Sequence, residues 1–179
     1  MQLSNVRDVV MVDNEIVIAI DVAFSHRTTP CEVIKPGAPK TDEYQDASAF
    51  LGKNWRTLRC HDFELYPAAV SGFSPEAFCY YLPGILTSSL VEMRPDLDAG
   101  SALIYMLDRG NGPVSWDEFF IERWCSLNEE ECRAVQQWVL WLAEKDPGGF
   151  ISTALDRAFD TLEILANRKQ ATPLALFSG

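Results

Sequence analysis

The chain is poor in histidine, in clustered base and in long apolar runs, and each shortage excludes something. His26 and His61 are the only two histidines in 179 residues. A nucleophile that needs an imidazole base therefore has a short menu, Cys31 with His61 or Cys60 with His26. Lys and Arg total 15 against 26 Asp and Glu, for a formal net charge of -11. With no basic stretch interleaved with aromatics, the footprint that phosphate backbones require is missing, so nucleic acid is not an expected ligand. The same charge repels anionic membrane surfaces and steers basic partners toward the protein. The longest apolar-rich stretch, Ile16 to Phe24, carries Asp21 and is too short to span a bilayer.

Other absences narrow the field further. Met1 to Asp13 has no basic start followed by an apolar run, so no secretory signal is read there. Cys31, Cys60, Cys79, Cys125 and Cys132 are odd in number and form no C-x-x-C pair, a usage that fits a reducing cytoplasm. G-x-S-x-G, P-loop and G-x-G-x-x-G motifs do not occur, which removes the common hydrolase and nucleotide fingerprints. Among metal ligands, His26, Cys31, Glu32, Cys60 and His61 are the candidate set, but they span two segments without a ligand spacing, so neither a metal nor another cofactor is expected. Fixed-period repeats are lacking too.

What remains is a chain with 47% apolar and 11% aromatic residues, long enough for one compact domain. Apolar residues recur at helical steps. Ile16, Ala19, Ile20, Ala23 and Phe24 form a face of a helix over Asn14 to His26, capped by Asp13 or Asn14. Pro30, Pro36, Gly37 and Pro39 make residues 27–41 a long irregular loop. Asp42 to Leu51 reads as a helix closed by Gly52, and Cys60 to Val70 as a turn or two interrupted at Pro67. Ser74, Pro75 and Glu76 are the cap, first-turn proline and first-turn acid of a helix running toward Arg94, with a kink or break expected at Pro83. Tyr80 and Tyr81 stand beside that proline. Tyr80, Gly84, Thr87 and Val91 share a face with little bulk beneath the ring, which suits close approach of another helix or a partner groove.

Asp96 to Arg109 is expected to be helical, and Ser115 to cap a segment that starts at Trp116. Asn128 and Glu131 occupy N-cap and N3 of a capping box, with Leu127 and Cys132 in the staple positions. The helix that follows has an apolar arc of Cys132, Val135, Trp138, Val139, Trp141 and Leu142, wide enough for a central helix or a homodimer face. A C-terminal helix over 150–167 and a tail after Pro173 complete the chain. Strand ladders are not suggested anywhere, so the fold class is mainly α, a single-domain, helical bundle-like fold over residues 1–179.

The run Phe73-Ser74-Pro75-Glu76-Ala77-Phe78-Cys79-Tyr80-Tyr81-Leu82-Pro83-Gly84-Ile85-Leu86 resembles the signature of an uncharacterised family of small bacterial proteins, a domain of unknown function. Gly52-Lys53-Asn54-Trp55-Arg56-Thr57-Leu58 and Leu127-Asn128-Glu129-Glu130 agree with it in order, so the likeness spans roughly residues 15 to 145. It implies a bacterial, cytosolic, mostly helical protein and brings no activity with it.

Charge supplies the functional expectation. Between Glu92 and Asp146 stand 12 acids against five bases. Trp116, Phe120, Trp124 and Trp141, with Asp117, Glu118 and Glu122 around them, have the composition of aromatic anchors in an acidic rim. The expected function is a non-catalytic acidic protein-interaction module, an immunity or antitoxin-like inhibitor of a basic toxin. The alternatives are an enzyme with an unrecognised helical active site around Cys31, His61, Tyr80 and Tyr81, or a small-ligand or metal sensor.

Overall fold

In the computed structural model, residues 3–109, 112–145 and 151–168 are described, with side chains from Asp13 onward. The long helix α1 spans Leu3–Ala23. It starts well before the expected cap, so Asp13 and Asn14 lie inside it; the Asp13 carboxylate reaches across to Lys145 at 3.8 Å instead of capping. Residues 27–41 contain no helix, as their prolines require. Three short helices follow: α2 (Asp42–Ser48), α3 (Cys60–Leu65) and α4 (Ala69–Gly72), with a 3-10 turn at Trp55–Thr57 before α3. Gly52 has φ +76°, the left-handed conformation that a side chain resists.

Helix α5 (Pro75–Val91) is the centre of the molecule. Ser74 Oγ accepts the Ala77 N–H at 3.2 Å, and Pro75 occupies the first turn, where its missing N–H is harmless. Every residue from Ala77 to Leu90 except Thr87 is buried, so α5 is covered all round and has no solvent face. The helix continues through Pro83 instead of breaking, because the surrounding elements hold it. Gly84 is where a neighbouring segment comes close to α5. A Cβ there would come within 3.0 Å of Leu58 Cδ1 and 3.1 Å of the Trp55 carbonyl.

Helix α6 covers Asp98–Leu107, and a 3-10 turn, Pro113–Ser115, leads into α7 (Glu118–Trp124). Ser115 belongs to that turn, and the cap of α7 is Asp117, whose Oδ1 accepts the Phe120 N–H at 2.8 Å. The long pair α8 (Glu129–Lys145) and α9 (Ser152–Ala166) closes the fold. Asn128 Oδ1 accepts the Glu131 N–H while Glu131 Oε2 accepts the Asn128 N–H, the reciprocal box expected from the sequence. The stop signals at Gly110, Asn111 and 146–150, and the tail after Pro173, lie outside the described residues. One continuous apolar core runs from Ile16 to Ala166, and no strand occurs among the described residues.

Candidate functional site

The aromatic residues expected to anchor a partner are placed inside. Capping by Asp117 fixes the rotation of α7 so that Phe120 and Trp124, four residues apart, both point to the core. Phe120 and Trp124 are fully buried, Trp141 is 2% exposed and Trp116 is 7% exposed. Trp124 packs edge-on to Phe78 with ring centres 5.1 Å apart, and Trp116 lies 4.9 Å from Phe120. The expectation that these four rings serve as surface anchors is therefore corrected: each fills the chain's own core. Of the acids around them, Asp117 is occupied by its cap and by Arg109 Nη1 at 2.7 Å, and Glu122 by Lys35 Nζ at 2.6 Å. Glu118 is exposed and has no partner among the described residues. Phe119, Ile121 and the fully exposed Val114 are the apolar residues left outside.

Tyr80 and Tyr81 do not line a groove. Tyr80 is 4% exposed, its hydroxyl 2.9 Å from Thr29 Oγ1, and Tyr81 is sealed between Phe50 and Phe73, donating to the Phe50 carbonyl. Burial pushes the Tyr81 phenol up to about 12. His61 is exposed beside Glu64, whereas His26 Nε2 lies 3.5 Å from Glu131 Oε1. Cys60 faces Ser88 and Glu92, and burial pushes its thiol up to about 11, the opposite of what a nucleophile needs. Among the described residues no three His, Cys, Asp or Glu side chains stand together as metal ligands.

Two buried charges escape sequence reasoning. Glu131 is fully buried and accepts two parallel hydrogen bonds from one edge of the Arg27 guanidinium, Nε to Oε1 and Nη2 to Oε2, each at 2.6 Å. The capping box signalled Glu131, but nothing signalled its partner 104 residues away. Arg123, only 5% exposed, has no carboxylate within ion-pair distance among the described residues. It donates to the backbone carbonyls of Phe73 at 2.6 Å and Phe119 at 3.1 Å.

An open concavity lies elsewhere, along the seam between α1 and α8. These helices run antiparallel, with Asp13 opposite Lys145 at one end and Ala23 near Glu129 at the other. The groove has a volume of about 610 Å³, a floor of Ala19, Val22, Ala23 and Ala134, and Glu129 and Glu130 on its lip. Val22 is 65% exposed. Ile18, one turn before it on α1, and Leu140 on α8 are also outside the core, at 55% and 56% exposed. Glu15, Glu129 and Glu130 are exposed with no partner among the described residues, while Arg133 is engaged by Glu163 at 2.6 Å. The apolar arc of α8 once considered as a dimer face is covered by this chain itself, with Cys132, Val135 and Trp138 fully buried.

The acidic surplus between Glu92 and Asp146 is also less free than its count. Asp96 pairs with Arg94, Asp108 with Arg157, Asp117 with Arg109 and Glu122 with Lys35. Unpaired negative charge concentrates where α8 begins. No described helix is long and apolar enough to cross a membrane.

Fold and surface together define an all-helical domain built around one central buried helix, with an acid-lipped apolar groove on its outside. The chain belongs to a family of unknown function, DUF6714, whose family model matches residues 12–163. No curated protein and no solved structure matches it.

Proposed function

We propose that the protein is a non-catalytic acidic interaction module of the cytoplasm that holds a basic protein partner, as an immunity protein or antitoxin occludes a basic toxin. The observation that carries this reading is the α1–α8 groove, where exposed Val22 lies with the unpaired carboxylates of Glu129 and Glu130, and where the same two helices also carry the exposed Ile18, Leu140 and Glu15. Apolar residues on a rim of one charge sign suit the helix-in-groove mode, in which anchors at i, i+4 and i+7 dock while flanking cations meet the rim. Helix α8, with 17 residues, offers a line of about 25 Å, enough for roughly four turns of a partner helix. Asp117, Glu118 and Glu122, with Phe119 and Ile121, form a second and smaller negative face that would contact the same partner.

A second copy of this chain is the weaker occupant. It would set acids against acids, and each copy carries a net charge of -11. The enzymatic alternative loses its constellation, since Tyr81 is sealed among rings and its hydroxyl is spent on a carbonyl.

Co-expression with the product of the adjacent gene tests the reading. Rescue of growth by the wild-type protein, lost in a folded Val22→Asp/Leu140→Asp variant, supports it. Absence of rescue, or rescue that the variant retains, overturns it. A stable dimer by light scattering at micromolar concentration would put a second copy in the groove instead.

A further inference from the structure

Among the described arginines, Arg59, Arg123 and Arg168 have no carboxylate within ion-pair distance, and of these three only Arg123 is buried. Arg27, Arg56, Arg94, Arg109, Arg133 and Arg157 each stand within ion-pair distance of a carboxylate. Their side chains are between 22% and 53% exposed. Arg123 is buried more deeply than any of these and has no such partner among the described residues. Two of its N–H groups reach backbone carbonyls, and Nε is buried with no acceptor. A buried cation with no carboxylate in contact is costly, and the cost falls when an anion docks beside it.

There is room for that anion. Arg123 lines a pocket of about 220 Å³ together with Lys35, Tyr44, Phe119, Glu118 and Glu122. The Phe119 ring lies flat over the guanidinium at 3.6 Å and is 36% exposed, so it forms the outer cover of the charge. We propose that this pocket is a binding site for a small aromatic carboxylate, whose carboxyl group is held by the Arg123 guanidinium and whose ring packs against Phe119. The planar fork of arginine matches a carboxylate in two parallel hydrogen bonds. The Tyr44 phenol supplies a further donor on the same wall. Glu122 is already neutralised by Lys35 at 2.6 Å, and Glu118 stands at the pocket with its charge unpaired. That residual negative charge admits a monoanion and opposes a phosphate carrying nearly two charges. The volume lies below the range of drug-sized ligands, so a single ring is the fitting size. Burial pulls the Arg123 guanidinium below its ordinary value, and the nearby charges of Glu122 and Asp117 offset that only in part.

This inference is separate from the seam, and either can fail alone. The test is calorimetric titration of the full chain with benzoate, with benzyl alcohol and inorganic phosphate as comparisons. One-site saturation by benzoate is expected, with benzyl alcohol and phosphate weaker by about tenfold or more, the scale of a lost charged hydrogen bond. Arg123→Lys keeps the charge but loses the fork, and should weaken benzoate about tenfold. Because that side chain also ties two carbonyls, Tyr44→Phe serves as the gentler variant and should weaken binding several-fold in a protein with an unchanged circular dichroism spectrum. No saturable benzoate binding, equal binding of benzyl alcohol, or full affinity in both variants overturns the proposal.

Discussion

Helix α7 and the α1–α8 seam are both rich in carboxylates and apolar side chains, but they use them in opposite ways. In α7 two of the three rings turn inward, Phe120 and Trp124 reaching zero exposure, and the acids are mostly spent on a cap or a base. At the seam the one large apolar side chain, Val22, is aliphatic and 65% exposed, and Glu129 and Glu130 beside it have no partner among the described residues. An aromatic ring buries so much area that the chain's own core claims it first. A docking surface must be built from what the core leaves over.

The first way to break the comparison is to cut both regions and measure unfolding in urea. Trp124→Ala should lose about 3–5 kcal/mol, because the hole left between Phe78 and Phe120 cannot close. Val22→Asp, on an exposed face, should stay within about 0.5 kcal/mol of wild type. Comparable losses would mean the seam is core and the distinction fails.

Next in size is the buried ion pair. Glu131→Ala strands Arg27 and deletes half the capping box, so a loss of about 3 kcal/mol is expected. Adding Arg27→Met should recover part of it, and a double variant no better than the single one would show that the charge was never stranded.

Both of these predictions rest on features of unequal legibility in the sequence. Two caps were readable because they are local: Ser74 with Pro75 and the Asn128–Glu131 box act within four residues, whereas the caps expected at Asp13 or Asn14 and at Ser115 fall elsewhere. The direction in which α7 faces was not readable, since Trp116, Phe120 and Trp124 are equally consistent with an outward stripe until α5 is known to lie beneath. The Arg27–Glu131 pair and the lone Arg123 depend on contacts 104 and 50 residues apart. Periodicity carries no trace of such separations. The seam was missed for a simpler reason: Ile18, Val22 and Leu140 sit off the apolar arcs that the pattern picks out.

Smaller effects sharpen the comparison. Asp117→Ala removes the α7 cap and should cost about 1 kcal/mol, in line with other caps, whereas Glu118→Ala next to it should be neutral. On the far side of α8, the Gln136 amide, the Asn167 amide and Arg133 hold the Glu163 carboxyl down to about 2, from an ordinary value near 4.5. A lowered value means that this clamp between α8 and α9 is fully present above pH 4.5 and fades as the pH falls toward 2. The urea midpoints of wild type and Glu163→Gln should therefore differ at neutral pH and converge in acid. A gap that widens in acid would reverse the sign and refute the clamp.

The most direct measurement is calorimetric titration with a synthetic basic amphipathic helix, leucines at i, i+4 and i+7 and lysines elsewhere. Two folded variants are compared with wild type, Val22→Asp/Leu140→Asp at the seam and Glu118→Lys/Phe119→Asp on α7. The account predicts at least a tenfold loss of affinity in the seam variant, and binding by the other that stays much closer to wild type. Unchanged affinity in the seam variant, or a loss confined to the α7 variant, would contradict it.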